Sequence, residues 1–110
     1  MSGESQILRI DCNNTTFQNT FKKLPPQRQK EARKQMGELF MLAMDAPPNK
    51  LHLHPLKDVL VDSVLDPKKK VKVYTFHITP DDSYKASFTF EGQTAYMRVC
   101  GPHDNVDKKP

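Results

Sequence analysis

The sequence predicts an α+β fold, in which an N-terminal strand, a helical hairpin and a three-stranded antiparallel meander form one curved sheet packed on the helices. Three observations predict it. Apolar residues recur at helical spacing in the first half of the chain. In the last third, β-rich segments are separated by turn sequences. A chain of 110 residues, 36% of them hydrophobic, can bury one core. We therefore expect residues 1–110 to form a single domain with short flexible termini.

The first half is predicted to hold one strand and two helices. Gln6 to Ile10 has β-branched and leucine residues and is interpreted as the strand. Thr15 to Gln18 fits a capping box that starts a helix running to about Leu24, where Pro25 and Pro26 end it. A second helix is predicted from Gln27 to Met44, with the apolar face Ala32, Met36, Leu39, Phe40 and Ala43.

The middle of the chain is less regular. Leu51 to Lys57 alternates strictly, so both leucines are expected to face inward and both histidines outward. Val59 to Leu65 is apolar but is interrupted by two polar residues, and a strand, a helical turn and an ordered loop all fit it. Asp66 to Lys70 is interpreted as an exposed connection.

The meander consists of Val71 to Thr79, Tyr84 to Phe90 and Thr94 to Cys100. Because side chains alternate across a strand, each segment divides into two faces. The face predicted to pack on the helices is apolar: Tyr74, Phe76, Ile78, Tyr84, Ala86, Phe88, Phe90, Ala95, Met97 and Val99. The face predicted to be solvated and functional is polar: Thr75, His77, Lys85, Ser87, Thr89, Thr94, Tyr96 and Arg98.

The charge is positive and clustered. The formal net charge is +4, the sequence pI is about 9.1, and cations are dense from Lys22 to Lys34 and from Lys68 to Lys72. Solvated surfaces would explain each cluster alone, whereas the two together favour a polyanionic partner such as nucleic acid.

The apolar stretches and the cysteines indicate where in the cell the protein is expected. The longest apolar stretch, Leu39 to Met44, is far shorter than the roughly 20 residues of a membrane-spanning helix. With only Cys12 and Cys100, a disulfide framework is not expected, and both thiols are interpreted as reduced. We expect a cytoplasmic protein that does not associate with a membrane.

Four segments are similar to parts of one protein family. Phe17 to Leu24 looks like its opening helix, and Lys50 to Lys57 like the segment before its sheet. Val73 to Ile78 lies where the family usually has an aromatic residue, an aliphatic residue and then arginine. Arg98 to Val106 is similar to its closing strand and its Gly-x-His-Asp-x-Val type ending. These segments resemble the RelE/ParE superfamily of bacterial toxins.

The resemblance implies the toxin of a toxin–antitoxin pair, and first a ribosome-dependent endoribonuclease that cleaves messenger RNA through its 2′-hydroxyl without metal or small-molecule cofactor. The implied partners are a cognate antitoxin protein, messenger RNA and the ribosome. His77 and Lys85 occupy positions of two sheet arginines, and His103 that of a terminal histidine. His103 is the candidate acid, Lys85 and Arg98 would stabilise the phosphate, and His77 would be base or second clamp. The candidate RNA-binding residues are Lys57, Lys68, Lys69, Lys70 and Tyr96.

Alternatives remain open. The missing arginines motivate a non-enzymatic toxin of the ParE type, which binds DNA gyrase. A nucleic-acid-binding or metal-binding module built on His52, His54, His77 and His103 is another, although a closed zinc site needs about four ligands and no spacing here identifies them. Tyr96 can also be read as a residue that only packs on the sheet.

Overall fold

Residues 5–46 and 51–110 are described by the computed structural model. The predicted flexible N-terminal residues and Lys50 of the family-like segment lie outside these ranges. The elements in chain order are β1 Arg9–Asp11, α1 Thr15–Lys22, α2 Pro26–Leu39, β2 His54–Asp62, β3 Lys70–His77, β4 Tyr84–Glu91, β5 Thr94–Pro102 and α3 His103–Lys108. The strands form one sheet in the order β1-β5-β4-β3-β2, in which β1 runs parallel to β5 and the other pairs are antiparallel. The predicted α+β architecture and its meander are confirmed.

The first strand is shorter and later than predicted. β1 covers Arg9–Asp11, whereas Gln6 makes only an isolated bridge to Ala43. The N–H of Ile7 donates to the carbonyl of Leu42 at 2.9 Å, so Gln6 and Ile7 pair with the segment that follows α2, whereas the N–H of Leu8 donates to the carbonyl of Gln93 in the β4–β5 turn at 2.8 Å.

This pairing also explains why α2 ends five residues earlier than predicted. Phe40 has an extended conformation (ψ 130°), and Met41 has a left-handed one (φ 69°). The N–H of Met41 donates to the carbonyl of Ile7 at 2.7 Å. Phe40 was predicted on the buried helical face but is 54% exposed. A long-range backbone pairing has overridden the helical periodicity of this stretch.

The start of α1 differs from the predicted capping box by one residue. The capping side chain belongs to Asn14, whose Oδ1 accepts from the N–H of Phe17 at 3.1 Å. Asparagine caps helices at least as well as threonine. Gln18 instead donates its amide to the carbonyl of Cys12 at 3.0 Å.

The undecided segment Val59 to Leu65 is a strand as far as Asp62, and Ser63 to Leu65 lie outside any strand or helix. β2 covers His54–Asp62 and pairs with β3, with an irregularity between Pro55 and Leu60 where Asp58 has φ 60°. Before it, Leu51 and Leu53 are buried and the two histidines are exposed, as the alternation predicted.

The main core lies between the helices and the apolar face of the meander. Most residues predicted on that face are confirmed as members of the core or as packed against it. Val99 is the exception. Ala86 lies opposite Cys100, whereas Phe88, two residues later on β4, lies opposite Met97, three residues earlier on β5. This bulge places two residues of β5 opposite Ser87 alone, so Cys100 replaces Val99 in the core. The core comprises Ile7, Phe17, Leu24, Ala32, Leu39, Leu42, Leu51, Leu53, Phe76, Ile78, Ala86, Phe88, Ala95, Met97 and Cys100.

The second face of the meander is not solvated, contrary to the prediction. Thr75, Ser87 and Thr89 have no exposed surface, and Lys85 is only 5% exposed. One cause is α3, which packs on β4 and β5 and buries Val106 completely. The sheet is therefore covered on both sides, and the expected flexible C-terminus forms a docked helix at residues 103–108.

A second cause is the segment that follows β2, which Glu91 attaches to the sheet. The Glu91 carboxylate accepts hydrogen bonds from the Ser63 hydroxyl, from the N–H of Val64 at 3.0 Å and from Thr89 Oγ1 at 2.9 Å. Burial raises the pKa of the Glu91 carboxyl, but these hydrogen bonds outweigh burial and leave the pKa below its usual value.

Within residues 5–46 and 51–110, no helix combines the length and the apolar character needed to cross a membrane.

Glu91→Gln should lower the free energy of unfolding by about 1–3 kcal/mol at neutral pH, because buried donors lose a charged acceptor. Since the pKa of Glu91 is lowered on folding, its stabilisation is present above the unfolded pKa of about 4.3 and is lost as the pH falls through the folded pKa. Wild type should therefore lose more stability than Glu91→Gln on acidification, as measured by urea unfolding at several pH values. Asp58→Asn, at an exposed carboxylate, is the control and should stay within about 0.5 kcal/mol. Equal stability of Glu91→Gln and wild type would contradict this role.

Candidate functional site

The ends of β3 and β4 bring His77 and Lys85 side by side. The two residues are direct partners in the antiparallel register, so their side chains lie on one face of the sheet. The neighbour of Lys85 on β5 is Gly101, which has no side chain. Immediately after β5, α3 begins at His103, whose N–H donates to the carbonyl of Ser83 at 2.9 Å.

The carboxylate of Asp107 joins Lys85 to His103. Its Oδ1 lies 3.3 Å from Lys85 Nζ, and its Oδ2 lies 3.1 Å from His103 Nε2. His103 and Asp107 are four residues apart on α3, the spacing that places two side chains on one helical face. The Lys85 side chain is 6% exposed and that of His103 is 36% exposed, so solvent reaches the histidine but hardly the ammonium.

Two further carboxylates surround the His103 ring. Asp104 Oδ1 lies 3.1 Å from Nδ1, and Asp82 Oδ2 lies 3.8 Å from Nε2. Both ring nitrogens therefore face carboxylate oxygens. An imidazolium can donate to partners on both sides, whereas a neutral ring can donate to only one.

His77 is in a different environment. Its ring stacks on that of His52, with the centroids 4.4 Å apart and the planes at 18°, and its buried Nδ1 has no hydrogen-bond partner. Burial lowers the pKa of His77, and the nearby His52 and Lys85 lower it further. His77 is therefore predominantly neutral at pH 7.

Arg98 lies apart from this cluster, in the bulge of β5. Its Nε donates to the carbonyl of Pro110 at 3.0 Å, and its charged neighbours are Asp62 and Glu91. Burial lowers the pKa of Arg98 against the opposing effect of these carboxylates, and the guanidinium remains charged at neutral pH. No contact among the described residues joins it to His77, Lys85 or His103.

The predicted RNA-binding residues are also dispersed. Lys68, Lys69 and Lys70 are exposed at the start of β3, and His77 is at its end, roughly 23 Å away along an extended strand. Lys70 pairs with Asp62 and lowers the pKa of that carboxyl. Lys57 is exposed on β2, and Tyr96 is half-buried between Asp11 of β1 and Thr89 of β4.

One residue of this region and one contact were not predicted from the sequence. Asp107 was not predicted because the C-terminus was interpreted as flexible, although the His-x-x-x-Asp spacing would have indicated the contact in a helix. His52 was named with His77 in the alternative of a nucleic-acid-binding or metal-binding module, but the stacking of the two rings was not predicted, because it depends on how the segment before β2 lies beside β3. Among residues 5–46 and 51–110, no three His, Cys, Asp or Glu side chains are grouped to hold a metal ion, so the metal-binding alternative finds no ligand set there.

Comparison with known proteins gives one informative match. No protein-family model matches the sequence, and no curated protein is significantly similar to it. The structure is similar to a chain of the archaeal RelE–RelB complex from Pyrococcus horikoshii, with a TM-score of 0.60 and 11% sequence identity over 88% of this chain and 96% of that chain. At this identity the likeness concerns the fold.

The imidazole of His77 should titrate with a midpoint below the ordinary value of about 6.5. Its neutral form therefore stabilises the folded state above that pH, and this contribution is lost as the pH falls through the folded pKa. The groups facing it are His52 and His54 beside β3, Lys85 on β4, and Asp82, which acts in the opposite direction. NMR titration of the ring protons should show the midpoint rise in His52→Asn and change less in His54→Asn. A midpoint at or above about 6.5 in wild type would refute the assignment.

Asp107→Asn should lower the free energy of unfolding by about 2 kcal/mol, because it leaves the Lys85 ammonium without its counter-charge. We expect less than the roughly 3–5 kcal/mol of a fully buried pair, since one third of the Asp107 side chain is exposed. Urea unfolding measures the effect. Asp104→Asn is the matched control: this carboxylate also contacts His103, but its side chain is 87% exposed, so a change within about 0.5 kcal/mol is expected. Equal effects of the two substitutions would contradict the role given to Asp107.

Proposed function

Starting from the RelE-like fold of the chain, we propose that this protein is the toxin of a toxin–antitoxin pair. In this proposal it acts in the cytoplasm and cleaves messenger RNA on the ribosome, which stops translation. The observation that carries the proposal is the Asp107 carboxylate, which holds His103 against Lys85 beside a neutral His77.

Cleavage of RNA through its own 2′-hydroxyl has three requirements. The hydroxyl must lose its proton, the extra charge on the phosphate must be stabilised, and the leaving 5′-oxygen must gain a proton. None of these steps needs a metal if suitable side chains are placed around the phosphate. The cluster contains candidates for each step.

His77 suits the role of base, because its lowered pKa keeps the ring neutral at pH 7 and therefore able to accept a proton. His103 suits the role of acid, because it is partly exposed and carboxylates face both of its nitrogens. Lys85 contributes positive charge between them. We assign Asp107 the role of a positioning residue, since it holds both His103 and Lys85.

Binding of the substrate backbone depends on residues outside this cluster. Asp82, Asp104 and Asp107 offset the positive charge around His103, so the cluster itself attracts a phosphate only weakly. The exposed Lys57 and Lys68 to Lys70 are candidates for contacts with more distant phosphates, and the ribosome would position the cleaved one. Arg98 lies apart from the cluster, and its Nε–H is already engaged by the carbonyl of Pro110.

An antitoxin protein is part of the proposal. The similar archaeal RelE was solved in complex with RelB. In this chain, the surface of α1 and α2 carries exposed cations that an acidic partner segment would neutralise: Lys22, Lys23, Lys30, Arg33 and Lys34. The gene beside this one is the first place to look for it.

A second candidate function is the non-enzymatic toxin of the ParE type, which binds DNA gyrase. The observation that favours it is that both cations proposed to stabilise the phosphate already have protein partners: Lys85 is bound to Asp107, and Arg98 to Pro110. A protein that only binds gyrase would not need either cation to be free.

Induction of the chain in growing bacteria tests the proposal. We expect translation arrest with cleaved transcripts, and His103→Ala should reduce cleavage by about 100-fold or more, the usual contribution of a general acid. His54→Ala, at another exposed histidine, is the control and should remain toxic. Transcript mapping and growth measurements provide the readout, with soluble expression verified for each variant.

Two outcomes would overturn the nuclease. Normal growth with intact transcripts would remove the toxin proposal altogether. Growth arrest with DNA damage and intact transcripts would replace the nuclease by the gyrase-binding alternative.

A further inference from the structure

The stacked pair of His52 and His77 lies at the edge of the proposed site. His77 is the proposed base, whereas His52 has no role in the chemistry described above. The two rings are nearly parallel, with planes at 18° and centroids 4.4 Å apart. His52 is exposed, whereas His77 is half-buried. The solvent-accessible surface of the pair therefore belongs mainly to His52.

The backbone holds His52 in place unusually firmly. Leu51 has no exposed surface and Leu53 is only 8% exposed, so the residues on both sides are anchored in the core. Between them His52 has φ 50°, a left-handed conformation that costs a non-glycine residue roughly 1–2 kcal/mol. Such a conformation persists only where its surroundings impose it, and it occurs disproportionately at binding sites.

The charge state of His77 allows the two rings to stack at neutral pH. Burial, His52 and Lys85 lower the pKa of His77, so two charged imidazoles do not face each other at pH 7. A flat ring held at a fixed orientation is a surface on which another flat ring can stack. In single-stranded RNA recognition, bases commonly stack on aromatic side chains, histidine among them.

The stack also connects directly to the proposed catalytic residues. His77 is the cross-strand partner of Lys85, and Lys85 contacts Asp107, which contacts His103. A base stacked on His52 would thus belong to a nucleotide next to the phosphate that these residues surround.

We propose that His52, supported by the stacked ring of His77, is a nucleobase-stacking platform that positions one base of the RNA substrate beside the Lys85–Asp107–His103 cluster. This inference rests on the proposed function, because it names a base-binding residue for that substrate. It gives a role to the segment immediately before β2. The charge pattern of the sequence did not indicate that role.

The test uses adenosine 5′-monophosphate as the probe and ribose 5-phosphate, which lacks the base, as its control. At pH 7.5, NMR titration with the nucleotide should shift the ring protons of His52 and the amides of Leu51 and Leu53. Ribose 5-phosphate should leave the His52 ring protons unchanged. Equal responses to the two probes, or no response of His52 to the nucleotide, would overturn the platform.

The matched variants are His52→Asn and Asp58→Asn, at two exposed residues that both have a left-handed conformation. Asparagine tolerates this conformation, so His52→Asn removes the ring with little strain on the backbone. Loss of one stacked base costs about 1–3 kcal/mol, so His52→Asn should bind the nucleotide about tenfold more weakly, and Asp58→Asn about as tightly as wild type. Unchanged binding by His52→Asn would also overturn the platform.

The result can be separated from that of the induction experiment. His103→Ala should reduce transcript cleavage by about 100-fold or more while retaining nucleotide binding at His52. If the protein is not toxic but the stacking is observed, the nuclease is rejected and a base-binding site remains. If transcripts are cleaved but the nucleotide does not contact His52, the platform is rejected and the nuclease remains.

Discussion

The salt bridge between Lys85 and Asp107 is the contact on which the arrangement of the candidate site depends. Removing an ammonium group from water costs several kcal/mol unless an opposite charge compensates it. Lys85 is carried by β4 and its side chain is 6% exposed, while the compensating carboxylate comes from α3. Since the other oxygen of this carboxylate contacts His103, the docking of α3 both neutralises the buried lysine and orients the histidine.

The second face of the sheet, which carries Lys85, is covered by other segments of the chain. A polar face with buried threonine and serine residues requires a cover that supplies both apolar contacts and hydrogen bonds. α3 provides the apolar contact through Val106, which has no exposed surface. Glu91 of β4 accepts a hydrogen bond from the buried Thr89 and attaches the segment after β2 through Ser63 and Val64. The proposed chemistry is thereby confined to one end of the sheet, where His77, His103 and His52 retain access to solvent.

Most of the fold could be predicted from the sequence, because it depends on local patterns. The meander, both helices and the inward leucines at positions 51 and 53 follow from periodicity and turn residues, and these predictions are confirmed. The errors arise where distant segments pair. α2 ends early because Met41 bonds to Ile7, and Val99 leaves the core because β5 bulges opposite Ser87. Neither effect is encoded in the spacing of nearby residues.

For the candidate site, the sequence by itself determined which chemical groups are present and which strands carry His77 and Lys85. Only the tertiary structure decided which of these groups meet. Their cross-strand contact requires the register of β3 and β4, and the link to His103 requires the docking of α3. The same folding placed Arg98 beside Pro110 and the lysines of the β2–β3 connection at the far end of β3. The physical reason is that side-chain alternation assigns a residue to a face, whereas burial and ion pairing depend on the segments that cover that face.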